Sequence, residues 1–174
     1  MNRFVLSIIT IAIVLGGIVF LFGVRAGEKI DATFFARMEY SPEYLFDFIT
    51  DVAQYATRKK DIESLEVLER TGQRITMWRE NYTNGSWREY QLIQQTYPTF
   101  FEFEIINSSD DHLAHISYTL KETDNFTEIV LSEKGTLKNT FRRGLRRLAG
   151  DDSFLETEMK WIRVAIQDEL IRRP

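Results

Sequence analysis

The chain has 174 residues, with 22 Lys+Arg against 26 Asp+Glu, a net charge of −4, two histidines and no cysteine. That length allows one domain and an appendage, and the charge disfavours a generally basic nucleic-acid binder. Disulfides, Cys-based zinc sites, iron–sulfur clusters, thiol nucleophiles and multi-histidine metal cages are all excluded.

Phe4 to Val24 runs for 21 residues without a charge. Hydrocarbon about 30 Å thick needs about 20 helical residues, so this stretch is long enough to span a membrane. The expectation is an anchor over residues 1–26 followed by one domain over 27–174. The alternative is a signal cleaved after Ala26, whose apolar core would run to only about 7–15 residues. Arg3 before the span stands against Arg25, Lys29 and Arg37 after it, a balance that favours a cytoplasmic domain. Asn81, Asn84, Asn107 and Asn125 begin sequons but also sit where turns favour Asn.

Ile30 to Glu39 reads as a first strand. Ser41-Pro42-Glu43 then opens a helix, with a capping hydroxyl, a proline at the first position and an acid at the positive end of the dipole. A shorter helical piece over Val52 to Lys60 carries Tyr55 and the charged run Arg58-Lys59-Lys60-Asp61. From Ile62 the period changes to two. Strands are expected at Ile62–Glu69, Arg74–Tyr82, Ser86–Thr96, Phe100–Ile106, His112–Lys121 and Phe126–Lys134. Asn84-Gly85 is the clearest hairpin signal, and the short links imply an antiparallel meander. After Asp151-Asp152-Ser153, the residues Leu155, Met159, Ile162, Ile166 and Leu170 recur at helical spacing. Alternation leaves one sheet face apolar, so the long C-terminal helix is the available cover.

That order, with Tyr40-Ser41-Pro42-Glu43-Tyr44-Leu45-Phe46-Asp47-Phe48-Ile49-Thr50-Asp51, Tyr55, Met77-Trp78-Arg79-Glu80, the Pro98 turn, Ser117-Tyr118-Thr119-Leu120 and Thr127-Glu128-Ile129, resembles the START-like or SRPBCC superfamily, including polyketide cyclases and lipid-transfer domains. The resemblance covers roughly Ile30 to Leu170. It implies an α+β helix-grip fold, a bent antiparallel sheet of about seven strands around a long helix, with an apolar cavity between them. The residues expected to line that cavity are Met77, Phe101, Phe103, Ile116, Tyr118, Leu120, Ile129, Trp161, Ile162 and Ile166. Tyr118 would supply a polar handle.

Glu158 and Glu169 project into the apolar arc of the last helix, where a carboxylate could bind a ligand or catalyse; Arg79 is a candidate partner for Glu158. The alternative is that both acids reach solvent at the helix edge. His112 and His115, three apart on a strand, face opposite ways and cannot share a metal. No metal or cofactor is expected, and motifs for phosphate loops, nucleophile elbows and zinc helices are absent. Finally, Lys138, Phe141, Arg142, Arg143, Leu145, Arg146 and Arg147 form a basic stretch with an apolar stripe that includes Leu137 and Leu148. That is the form of a helix on an anionic lipid surface, docking or gating the cavity mouth, or else of a helix packed on its own domain. The leading expectation is a membrane-anchored binder of a hydrophobic small molecule, lipid or isoprenoid-like. The alternatives are a cyclase- or dehydratase-type enzyme and a ligand-free interaction module.

Overall fold

A computed structural model describes residues 3–172. Met1, Asn2, Arg173 and Pro174, the outer bounds of the two expected segments, lie outside the described residues, as do the side chains of Arg3, Phe4 and Arg172. The elements are α1 (Arg3–Arg25), β1 (Lys29–Met38), α2 (Pro42–Thr50), a 3-10 turn (Val52–Gln54), α3 (Tyr55–Arg58), β2 (Ile62–Thr71), β3 (Arg74–Tyr82), β4 (Trp87–Thr96), β5 (Phe100–Ser108), β6 (His112–Glu122), β7 (Thr127–Leu137), α4 (Thr140–Ala149) and α5 (Ser153–Arg172).

All seven strands join one antiparallel sheet in the order β1-β7-β6-β5-β4-β3-β2. Local chemistry fixes its corners. Asn84 Oδ1 accepts from the Ser86 amide at 2.9 Å, and Gly85 takes φ +80°, which a side chain disfavours. Ser41 Oγ accepts from the Tyr44 amide and starts α2. The strands alternate as expected. Phe101, Phe103 and Ile105, then Ile116, Tyr118 and Leu120, then Ile129 and Leu131 are buried on one face. α5 covers that face with Leu155, Met159, Ile162, Ala165 and Ile166. Each such side chain contributes about 1.5–3 kcal/mol by leaving water. Leu170, expected on the same stripe, is exposed because α5 has run past the sheet.

α4 is helical through Gly144, and the reason is close contact. It crosses the C-terminal part of α1. A Cβ on Gly144 would fall 1.9 Å from the Val19 carbonyl oxygen, and one on Gly23 would fall 1.8 Å from that of Thr140. Only glycine permits this backbone approach. Asn139 caps α4 through the Arg142 amide.

Candidate functional site

The fold brings nearly all the expected lining residues together. Phe101, Phe103, Ile116, Tyr118, Leu120, Ile129, Ile162 and Ile166 belong to one buried cluster, with Trp161 packed at its edge. Met77 does not join them. On β3 the inward phase is Trp78 and Glu80, both essentially unexposed, so Met77 stands on the outer face with Arg79. Met77 as a lining residue implies the opposite phase, but the bulkier aromatic takes the interior. The partner expected for Glu158 is wrong for the same reason: Arg79 pairs with Glu89 and Glu66 outside the sheet.

The cavity expected between sheet and helix is filled by the protein's own side chains. Phe46 and Ile49 from α2 press against Phe101, Tyr118 and Leu120, leaving a gap that admits no water molecule. Ligand sites usually start near ~300 Å³. A second cleft, of about 160 Å³, opens beside it, lined by Thr50, Val52, Ile75, Trp78, Leu92, Gln95 and Phe101 among others. The two spaces share Thr50 and Phe101 as walls. Gln95 Oε1 is buried there without a hydrogen-bond partner, an unmet acceptor that costs free energy in the empty state.

Behind the gap lies a polar cluster in an otherwise apolar interior. Lys59, 6% exposed, extends from the end of α3 between the rings of Tyr55 and Trp161, 4.7 and 4.6 Å from their centroids. Its ammonium donates to Glu158 Oε2 at 3.1 Å and lies 3.9 Å from Glu80 Oε1. Glu158 also accepts from Trp161 Nε1 at 2.7 Å and Tyr118 Oη at 3.2 Å. Glu80 accepts from Tyr82 Oη at 2.6 Å and Trp78 Nε1 at 3.4 Å. Burial pulls the Lys59 ammonium downward, but Glu158 and Glu80 beside it hold it above the usual lysine value. Burial first, and Glu158 second, push the Tyr118 phenol well above its ordinary range, so it stays a neutral donor.

Sequence reasoning found Glu158 and Tyr118 in this cluster and missed Lys59 and Glu80. Lys59 sits in a charged run that reads as solvated surface. Glu80 carried a usable signal, since it shares its strand phase with Trp78 and Tyr82. Glu169, the other flagged acid, lies at the helix edge within 3.8 Å of Arg58.

The basic stretch divides in two. Arg146 turns inward and holds Glu133, which is fully buried and also bonded to His112 Nε2 at 2.8 Å. Arg143 donates to the carbonyls of Gly23, Leu137 and Lys138. These two arginines are therefore internal ties and do not present themselves to a lipid surface, contrary to expectation. Helical projection alone could not foresee that α4 would lie on α1 rather than on the sheet. Phe141, Leu145 and Leu148 point outward, as do Lys138, Arg142 and Arg147. His112 is buried and His115 exposed on the opposite face, as their spacing required. Among the described residues, no cluster of three or more His, Asp or Glu side chains could hold a metal. Nor does α4 gate the interior gap. It follows Leu137 at one end of β7, whereas Tyr118 and Phe101 are level with Leu131, six residues or about 20 Å along the strand.

No family model and no curated protein matches the chain. Solved structures do. A START superfamily protein from Mycobacterium smegmatis aligns at 12% identity and TM-score 0.53, over 76% of this chain and 99% of its own. Major latex-like protein 151 from Panax ginseng aligns at 10% identity and TM-score 0.63, over 82% and 98%. The di-domain aromatase/cyclase BexL from the BE-7585A biosynthetic pathway aligns at 13% and 0.63, over 84% of this chain and 51% of that one. Such identities speak for architecture, not activity. Residues 29–172 have the START-like helix-grip fold, preceded by one helix long and apolar enough to cross a membrane.

Proposed function

We propose that this chain is a membrane-anchored binder of a small hydrophobic molecule, short-lipid or isoprenoid-like, that carries one polar group. The observation that carries this reading is the pair of spaces sharing Thr50 and Phe101, with the unmet Gln95 acceptor in the wall of the outer cleft. Outward movement of the turn around Thr50 to Ala53 merges the two. The ligand's apolar body then lies against Phe101 and Leu120, its donor reaches Gln95, and the Tyr118–Glu158–Lys59 cluster closes the inner end. Entry is at the end of the grip away from α4, so a domain held by α1 offers its site to the aqueous side. The fold's occurrence in a START protein and an aromatase/cyclase is consistent with this use.

The filled interior favours a second reading, an interaction module without a ligand. Native mass spectrometry of the full chain in nanodiscs, with organic extraction of what co-purifies, separates the two. A stoichiometric hydrophobic adduct, about fivefold less retained in Gln95→Leu for the loss of one hydrogen bond, supports the binder. A bare mass that persists after incubation with a total lipid extract overturns it in favour of the module.

A further inference from the structure

α4, the end of α1 and the start of β1 line a groove of about 490 Å³. Its walls include Arg25, Lys29, Arg143, Arg146 and Arg147, against Asp31 and Asp151. Arg143 and Arg146 are held by internal partners and Arg147 pairs with Asp151. Arg25 and Lys29 are exposed, with no ion pair among the described residues. The positive charge is therefore only partly answered by the protein.

The level of this groove follows from α1. If Val5–Arg25 spans, Arg25 lies at the head-group boundary. α4 meets α1 at Val19 and Gly23, six and two residues from Arg25, or about 9 and 3 Å along a helix. An interfacial helix buries its apolar face about 5–10 Å below the head groups. The crossing sets α4 at that depth, and it also leaves Phe141, Leu145 and Leu148 exposed at 47%, 41% and 53% beside an apolar span. Stripe, depth and charge agree on one occupant.

We propose that α1 and α4 form a half-immersed clamp whose groove takes the phosphate head group of an anionic phospholipid, with Arg25 and Lys29 as its free cations and α4 lying in the bilayer surface. This rests on α1 being a span and is independent of what the domain's interior binds.

Two measurements on the full chain test it. The chain is placed in nanodiscs of equal phosphatidylglycerol and phosphatidylcholine, and the lipids that stay bound on release are weighed. Phosphatidylglycerol retention is expected to dominate and to fall about tenfold or more in Arg25→Gln/Lys29→Gln, both exposed positions. Equal retention of the two lipids, or no change in the double variant, overturns the site. Displacement by millimolar inorganic phosphate would reassign it to a soluble anion and overturn the lipid. Because the chain has no cysteine, Leu145→Cys and Phe35→Cys each give a single labelling site. A fluorophore at 145 is expected to be quenched by brominated lipid, and one at 35, on the outer sheet face at 73% exposure, is not. Equal quenching at both positions refutes the immersion of α4. Failure of the chain to enter nanodiscs at all would refute the span itself.

Discussion

Replacing Lys59 by Met removes the one cation that faces two interior carboxylates. At an effective dielectric near 20, charges 3.1 and 3.9 Å apart attract by about 5 and about 4 kcal/mol. Desolvation of Lys59 offsets much of this in the native protein, but the variant leaves Glu80 buried and Glu158 half-buried, both without their cation. Breaking a buried pair from one side costs about 3–5 kcal/mol, or about 6–20 °C in Tm for a domain of this size. Glu158→Gln alone keeps acceptor capacity for Tyr118 and Trp161 and leaves the Lys59–Glu80 pair, so it should cost only about 1–2 kcal/mol. The signs reverse in combination. In the Lys59→Met background, Glu158→Gln removes an unpaired, largely desolvated charge and should recover about 1 kcal/mol. Urea unfolding of the full chain in micelles, followed by the fluorescence of Trp78 and Trp161, reads the whole cycle. A Lys59→Met cost below about 1 kcal/mol, or additive single costs, would refute a dry, coupled cluster.

Two further outcomes are expected. Burial alone would raise the Glu133 carboxyl, but hydrogen bonds from His112 and Arg146 hold it below its ordinary 4.5; the stability it contributes is complete above that value and lost as pH falls through the lowered one. Acid titration by circular dichroism should therefore show a destabilisation below about pH 4.5 that Glu133→Gln flattens, and an unchanged acid limb in that variant would contradict the tie. Gly144→Leu forces α4 off α1, because its Cβ would meet the Val19 carbonyl at 1.9 Å; protease cleavage near Arg142 and Arg147 should accelerate at least tenfold while the unfolding midpoint of the sheet moves little, and unchanged cleavage would show that the crossing is not tight.

Much of the fold was legible in the sequence because it rests on local rules. Period-two alternation, Ser41-Pro42 and Asn84-Gly85 each fix an element without reference to distant chain. The candidate site was less legible, because its features depend on volume and on tertiary contact. Alternation marked two phases on β3 but not which one faces inward; Trp78 and Glu80 went inside, carrying an acid that Lys59 answers from nineteen residues before Trp78. The expected cavity came from resemblance, and whether Phe46 and Ile49 fill it depends on how closely α2 approaches the sheet. By propensity Gly144 is a weak point in a helix. Its actual reason, the backbone of Val19, lies in a segment that sequence reading treats as a separate object.

If α1 spans a bilayer, its crossing with α4 makes it more than a tether. A tether of a few flexible residues would only raise the concentration of the domain near a bilayer. Here Ala26 to Glu28 is the whole link between α1 and β1, and α4 is sewn to both bodies: to α1 through Gly23, Gly144 and Arg143, and to the sheet interior through Arg146 and Glu133. The helix that crosses α1 therefore also grips a buried carboxylate on β7. Orientation follows from that double attachment. With α4 at one end of β7 and the Thr50–Gln95 cleft about 20 Å along the strand, a domain fixed on α1 holds its opening off the membrane. A ligand extracted from the same bilayer would have to cross that distance through water, which an apolar molecule does poorly. On the proposed binding role and a spanning α1, the geometry favours a ligand delivered from the aqueous side, by another protein or as a sparingly soluble metabolite, over one drawn from the lipid beneath.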